Sequence, residues 1–200
     1  MAASLTSTDL TLDNTSGASI PGTPSAGQTV LYPKDDKLLY YKNDAGQELP
    51  PGKVVQIKST QTGAVASGTG VIPTDDTIPQ ITEGDQYLAL AFTPTATSNM
   101  LCVEFNCQTA TDTADRVIIG ALFVGTTADA LAVCHSYDGG IQNSINSLVH
   151  HVSAGVTTEL IFRVRLGCNA AATTTLNGYG TVRRYGGKMS SSLTITEYTP

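Results

Sequence analysis

Apolar side chains recur along this chain at every second position in one segment after another. Leu101, Val103, Phe105 and Cys107 alternate with Glu104 and Asn106, and Leu160, Phe162, Val164 and Leu166 alternate with Arg163 and Arg165. A period of two marks an extended strand with one buried face, because successive side chains point to opposite sides. The same period places Leu88, Leu90 and Phe92 against Ala89 and Ala91, and Val55 and Ile57 against Gln56 and Lys58. It also sets Leu193 and Ile195, with Glu197 in the same phase, against Thr194, Thr196 and Tyr198. Residues 116–125, RVIIGALFVG, are apolar at nearly every position, which predicts a strand covered on both faces. ALAVCHSY and SLVHHVSA give two more strands, and no segment carries a helical period.

Upstream, residues 29–49 predict a three-stranded meander. Its middle strand puts Leu38 and Tyr40 on one side and Leu39 and Tyr41 on the other, so both faces are apolar. Asp35-Asp36 and Asn43-Asp44-Ala45-Gly46 supply the turns. So small a sheet cannot bury two apolar faces by itself, and packing of several copies around a threefold axis is the expected solution. Pro50-Pro51-Gly52 ends the ladder, which sets a boundary near residue 53. Residues 1–28, rich in Ser, Thr, Gly and Pro, read as an extended arm whose few apolar groups, Leu5, Leu10, Leu12 and Ile20, are spaced as docking anchors. The expected organisation is an arm over 1–28, a meander over 29–53 and an all-β domain over 54–200.

Eight or more short strands in that last domain leave a jelly roll or an immunoglobulin-type sandwich. The chain contains no tryptophan and no evident disulfide pair, which favours the antiparallel jelly roll.

Four stretches carry a resemblance: AGQTVLYPKDDKLLYYKNDAGQEL, VASGTGVIPTDDTIPQITEGDQYLALAFTPTATSNML, IIGALFVGTTADALA and TTLNGYGTVRRYGGKMSSSLTITEY. Together, over roughly residues 26–200, they resemble the C-terminal half of bacteriophage tail fibres and related virion spikes. The resemblance implies a short stem followed by a trimeric jelly-roll head similar to the tumour necrosis factor fold, in a virion protein made in the bacterial cytoplasm. It implies attachment to another virion protein, of tail or capsid, through the arm, and presentation of the head to a host-surface glycan or protein. The segment before the meander is shorter than in long fibres of this kind, so a capsid-decoration or head-fibre role is the alternative.

Composition narrows the partners. Only 14% of the 200 residues are charged and the net charge is −6, with 11 Lys and Arg, so the chain lacks the basic field that a nucleic acid requires. The N-terminal stretch has neither a basic start nor an apolar run, which predicts no signal peptide and no membrane insertion. Cys102 and Cys107 are five apart in one strand and face opposite sides; with Cys134 and Cys168 they are expected as reduced, buried thiols. A disulfide joining Cys134 or Cys168 to another strand is the remaining possibility.

Candidate chemistry is sparse. His150 and His151 are adjacent in a strand and diverge, so one chain cannot place both on a metal. Cys134, His135 and Ser136 diverge likewise, and no GxSxG elbow is present. We expect no catalytic residue, no metal and no cofactor. Two loops remain as interaction candidates. YDGGIQNSIN, 137–146, offers Tyr137, Asp138 and Asn143 as receptor contacts, combining a stacking face with paired hydrogen bonds. NGYGTVRRYGGK, 177–188, offers Arg183 and Arg184, which with Leu39 and Tyr41 are expected at the interface of a trimer.

Overall fold

A computed structural model describes residues 22–33, 39–49, 54–139 and 143–199. The arm positions Leu5, Leu10, Leu12 and Ile20, the turn at Asp35-Asp36, Leu38 and the Pro50-Pro51-Gly52 stop lie outside the described residues. Contacts divide the chain into Met1–Lys53 and Val54–Pro200.

In the first unit, β1 (Val30–Pro33), β2 (Leu39–Lys42) and β3 (Glu48–Leu49) form a three-stranded antiparallel sheet in sequence order. Tyr32 pairs with Tyr40 and their rings stack at a tilt, 6.3 Å between centroids. The β2–β3 turn forms where the sequence placed it. Asn43 Oδ1 accepts from the Ala45 and Gln47 amides, and Gly46 takes the left-handed φ of 78° that the turn requires. All four residues of β2, including Leu39 and Tyr41, are half-buried, and Leu31 is exposed.

The second unit is an all-β sandwich of two antiparallel sheets. Its strands are β4 (Val54–Thr62), β5 (Ala66–Gly68), β6 (Asp85–Phe92), β7 (Met100–Thr111), β8 (Arg116–Val124), β9 (Ala132–Asp138), β10 (Asn143–Ser153), β11 (Leu160–Cys168), β12 (Thr174–Leu176), β13 (Gly178–Tyr179), β14 (Val182–Arg183) and β15 (Ser191–Tyr198). One sheet runs β4-β15-β7-β10, with β5 and β12 continuing the lanes of β4 and β15. The other runs β6-β11-β8-β9. A two-stranded ribbon, β13-β14, follows β12.

The alternating residues meet where the period put them. Leu101, Val103, Phe105 and Cys107 of β7 pack with Leu193 and Ile195 of β15 against Leu88, Leu90, Phe92, Leu122, Phe162, Val164 and Leu166 of the facing sheet. β8 is covered on both sides: Ile119, Ala121 and Phe123, on the face away from this core, pack on Ile72. Residues 71–84, which contain IPTDDTIPQITEG, lie over that outer face. They are stitched down by Ile72 N to Cys168 O (3.0 Å) and Ile81 N to Ala128 O (2.7 Å). Arg165 fastens the far end, donating Nε to Glu83 O and Nη2 to Gly84 O, both at 2.7 Å. The path needs three glycines in contact. A Cβ on Gly70 would fall 2.5 Å from the Gly84 carbonyl carbon, and one on Gly167 would fall 2.5 Å from Gly70 O.

Two sequence expectations are corrected, and one feature is added. In β4 the alternation is real but its phase is inverted: Val55 and Ile57 are 43% and 64% exposed, and Gln56 turns inward. The phase follows from pairing with β15, where Glu197 opposite Gln56 faces inward and Thr196 opposite Ile57 faces outward. The loop expected over 137–146 is shorter, since β9 runs to Asp138 and β10 begins at Asn143. The short strands β5 and β12, ASG and TTL, were not anticipated.

Candidate functional site

The β9–β10 connection positions two of the three expected receptor contacts. Tyr137, next to last in β9, is 63% exposed, and its hydroxyl donates to Asp115 Oδ1 at 2.9 Å. Asp115 adopts a left-handed φ of 56°, which brings its carboxylate up to the ring. Asn143 opens β10, exposed, opposite Ala110 of β7. Asp138 pairs with Arg116 across the sheet; its side chain, like residues 140–142, lies outside the described residues.

Beneath this end lies a polar network that the sequence did not announce. Asn146, fully buried, donates Nδ2 to Thr109 Oγ1 (2.9 Å) and Ser136 Oγ (3.0 Å). Ser144 Oγ bonds both of those hydroxyls at 3.0 Å. These bonds tie β9 and β10 to β7, so Tyr137 and Asn143 stand on a fixed base. Its signal in the sequence is the phase of β10, in which Ser144 and Asn146 share the inward side with Leu148.

The second expected surface is the β13-β14 ribbon and the 3₁₀ turn Tyr185–Gly187. Asn177 anchors it. Buried and left-handed (φ 55°), it donates Nδ2 to Thr62 O (2.8 Å) and Ala64 O (3.1 Å), and its Oδ1 accepts from Ser191 Oγ (2.8 Å). Arg184 lies over the Tyr179 ring, 5.1 Å from its centroid, and Arg183 runs along Gly187, where a Cβ would meet its Cδ at 2.9 Å. Val182 and Tyr185, 56% and 76% exposed, flank the two arginines. Leu39 and Tyr41 belong to the other unit.

A third feature was not foreseen. Residues 73–79 stand beside the outer face of β8 and β9 and leave a groove of about 780 Å³. Val117, Ile119 and Val133 give it an apolar lining; Asp75, Asp76 and His135 give it polar groups. Hydrogen bonds from the Thr77 side chain and amide hold the Asp75 carboxyl below its usual range. The groove depends on residues 71–84 folding over β8, which no local pattern encodes.

Of the three neighbours expected to diverge, only His135 does: it is exposed, while Cys134 and Ser136, two apart in β9, both point inward to Asn146. His151 Nδ1 lies 2.9 Å from the Tyr198 hydroxyl, with the rings edge to face at 5.9 Å, and His150 is on the opposite side of β10. Among the described residues, no group of three His, Cys, Asp or Glu is placed to hold a metal ion. No helix among them is long and apolar enough to cross a membrane.

No protein-family model matches the sequence, and no curated protein does. Solved structures similar in part include viral ones. The infectious bursal disease virus VP2 subviral particle superposes with a TM-score of 0.36 at 9% identity, over 77% of this chain and 40% of that one. The structure of the Gt strain of the same virus gives 0.34 at 9%, over 81% and 44%. The enzymatically active domain of bacteriophage CBA120 tailspike protein 4 gives 0.26 at 12%, over 62% and 19%. This chain spans less than half the length of each of these proteins.

Proposed function

We propose that the chain is a structural protein of a bacteriophage virion, a homotrimeric spike that is anchored by its N-terminal arm and presents a jelly-roll head to the host surface. The observation that carries this reading is the strand order. Two four-lane sheets, β4-β15-β7-β10 and β6-β11-β8-β9, in which the first and last strands pair and consecutive strands other than β8 and β9 alternate between sheets, support a jelly-roll reading. A short meander precedes them, as the resemblance to tail fibres and virion spikes implies. In this reading Leu5, Leu10, Leu12 and Ile20 dock on a tail or capsid protein, and the β9–β10 end, with Tyr137 and Asn143, meets a glycan or protein of the host. The chain carries no catalysis and binds no cofactor, nucleic acid or membrane.

The test separates the two ends. A truncation starting at Ala26 is expected to trimerise and melt nearly as the full chain does, yet fail to enter particles. Tyr137→Ala and Asn143→Ala are expected to enter particles normally and lower adsorption to host cells. If those two variants adsorb normally while the truncation leaves capsids fragile to heat or dilution, the receptor-binding role falls and capsid decoration replaces it.

A further inference from the structure

The two outer faces of the sandwich are unlike. Residues 71–84 lie over the face formed by β8, and no described residue of this unit plays that part for the outer face of β4-β15-β7-β10. Across that open face run rows such as Ile57-Thr196-Cys102-His151 and Ser59-Thr194-Glu104-Val149, in register over the four strands. Its exposed apolar residues sit at the two edges: Val55 and Ile57 on β4, and Ile145 (54% exposed) and Val149 (55%) on β10. Between them the face is lined with hydroxyls and amides, and Glu104 is the carboxylate in its middle.

We propose that three copies of the chain meet through this face, the β4 edge of each packing on the β10 edge of the next, with Glu104 turned toward the axis. The inference rests on the homotrimeric reading and adds the surface that makes it. Four lanes about 4.8 Å apart and strands of about ten residues give roughly 600 Å² of face per copy, about 300 Å² to each of its two neighbours; that is below the ~800 Å² per partner of a stable pair, so each contact holds as one of three in a closed ring. Two different apolar edges, one at each side of one face, are what a closed ring of heterologous contacts uses, each copy giving one edge to either neighbour. The polar middle selects three copies over two. A flat two-copy stack would bury Glu104 without a cation, whereas a threefold ring leaves it beside a solvated axis. The inverted phase of β4, set by the pairing of Gln56 with Glu197, then has a use: Val55 and Ile57, turned outward, are free to meet another chain.

The experiment measures mass in solution by light scattering for the full chain and for Ile57→Lys, Val149→Glu and the double variant. Wild type is expected as a trimer. Each single variant is expected to dissociate at concentrations at least tenfold higher than wild type does, and the double variant to reassemble, since lysine then meets glutamate at every contact. Val133→Lys, on the far sheet, is expected to remain a trimer. A trimeric wild type that the single variants leave unchanged overturns this surface and spares the trimer; a monomeric wild type overturns both. Should the single variants fail to fold, Val149→Cys decides, because position 149 lies at the β10 edge that the proposal buries: alkylation there in the intact trimer at the rate found after dissociation overturns the proposal.

Discussion

Asn99 donates its side-chain amide to Glu197 Oε1 at 2.7 Å, and both residues are almost wholly inaccessible to solvent. The same carboxylate accepts from the Thr95 amide and hydroxyl, each at 2.8 Å, and from Gln56 Nε2 at 2.6 Å. A buried charge is thus satisfied entirely by neutral donors, which join the last strand to the turn after β6 and to the first strand.

Glu197 makes stability depend on acid. Burial by itself raises its pKa, but the bonds from Gln56, Asn99 and Thr95 outweigh burial and hold the group below its ordinary 4.5. Because the folded value is depressed, the contribution is complete above 4.5 and is lost as pH falls through the folded value. Thermal melts of wild type should therefore drop in that range. Glu197→Gln should lose that part of the pH dependence and melt lower at pH 7, by about 2 kcal/mol, since its amide group opposes the donors around it.

The glycine contact and Arg165 together hold residues 71–84. Gly70→Ala should destabilise the fold, because its methyl would fall on the Gly84 backbone rather than on a movable side chain. Arg165→Ala should leave the core strands intact and speed amide exchange at Ile72 and Ile81. Arg165→Lys should not restore protection, since lysine cannot donate to Glu83 O and Gly84 O in the fixed fork of a guanidinium.

Asn177 tests the base of the arginine ribbon. Asn177→Ala removes three side-chain hydrogen bonds and forces a methyl into left-handed backbone; Asn177→Gly removes the bonds alone. Denaturant midpoints should place alanine below glycine by about 1 kcal/mol, and both below wild type.

Three of the four cysteines should be silent. Burial pushes Cys107 up to about 12, with Cys134 nearby adding to the shift, and burial pushes Cys134 up to about 11, so neither is a thiolate at pH 8. Cys168 is buried beside Thr111 and Thr174. Mass spectrometry after iodoacetamide treatment of the folded protein should find Cys107, Cys134 and Cys168 unmodified, and reductant should not move the melting temperature.

The strands that could be read in the sequence were those whose burial is written in side-chain contrast. β7, β11 and β15 alternate large apolar with polar residues, and β8 is apolar throughout because both of its faces are covered. β5 and β12 escaped because Ala, Ser, Gly and Thr carry no such contrast, although Thr174, Thr175 and Leu176 are buried. Alternation gives a period and leaves the phase open. In β4 the phase was set by Glu197, 141 residues from Gln56, rather than by the hydrophobicity of Val55 and Ile57. Of the candidate site, Tyr137 and Asn143 were legible as exposed residues at a turn. The buried Asn146 and Asn177 that hold the two surfaces were not, because asparagine in a sequence reads as loop.

The pairing of β4 with β15 also governs when the sandwich can form. The sheet that carries half of the core has its first and last strands side by side, so the nascent chain cannot close it until Ser191–Tyr198 has cleared the ribosome exit. Until then β4 and β7 both lack the neighbour that lies between them, and their open edges are templates for unwanted pairing. Nascent chains arrested shortly before Ser191 should accordingly be protease-sensitive throughout, and release of the last strand should protect the whole sandwich in one step.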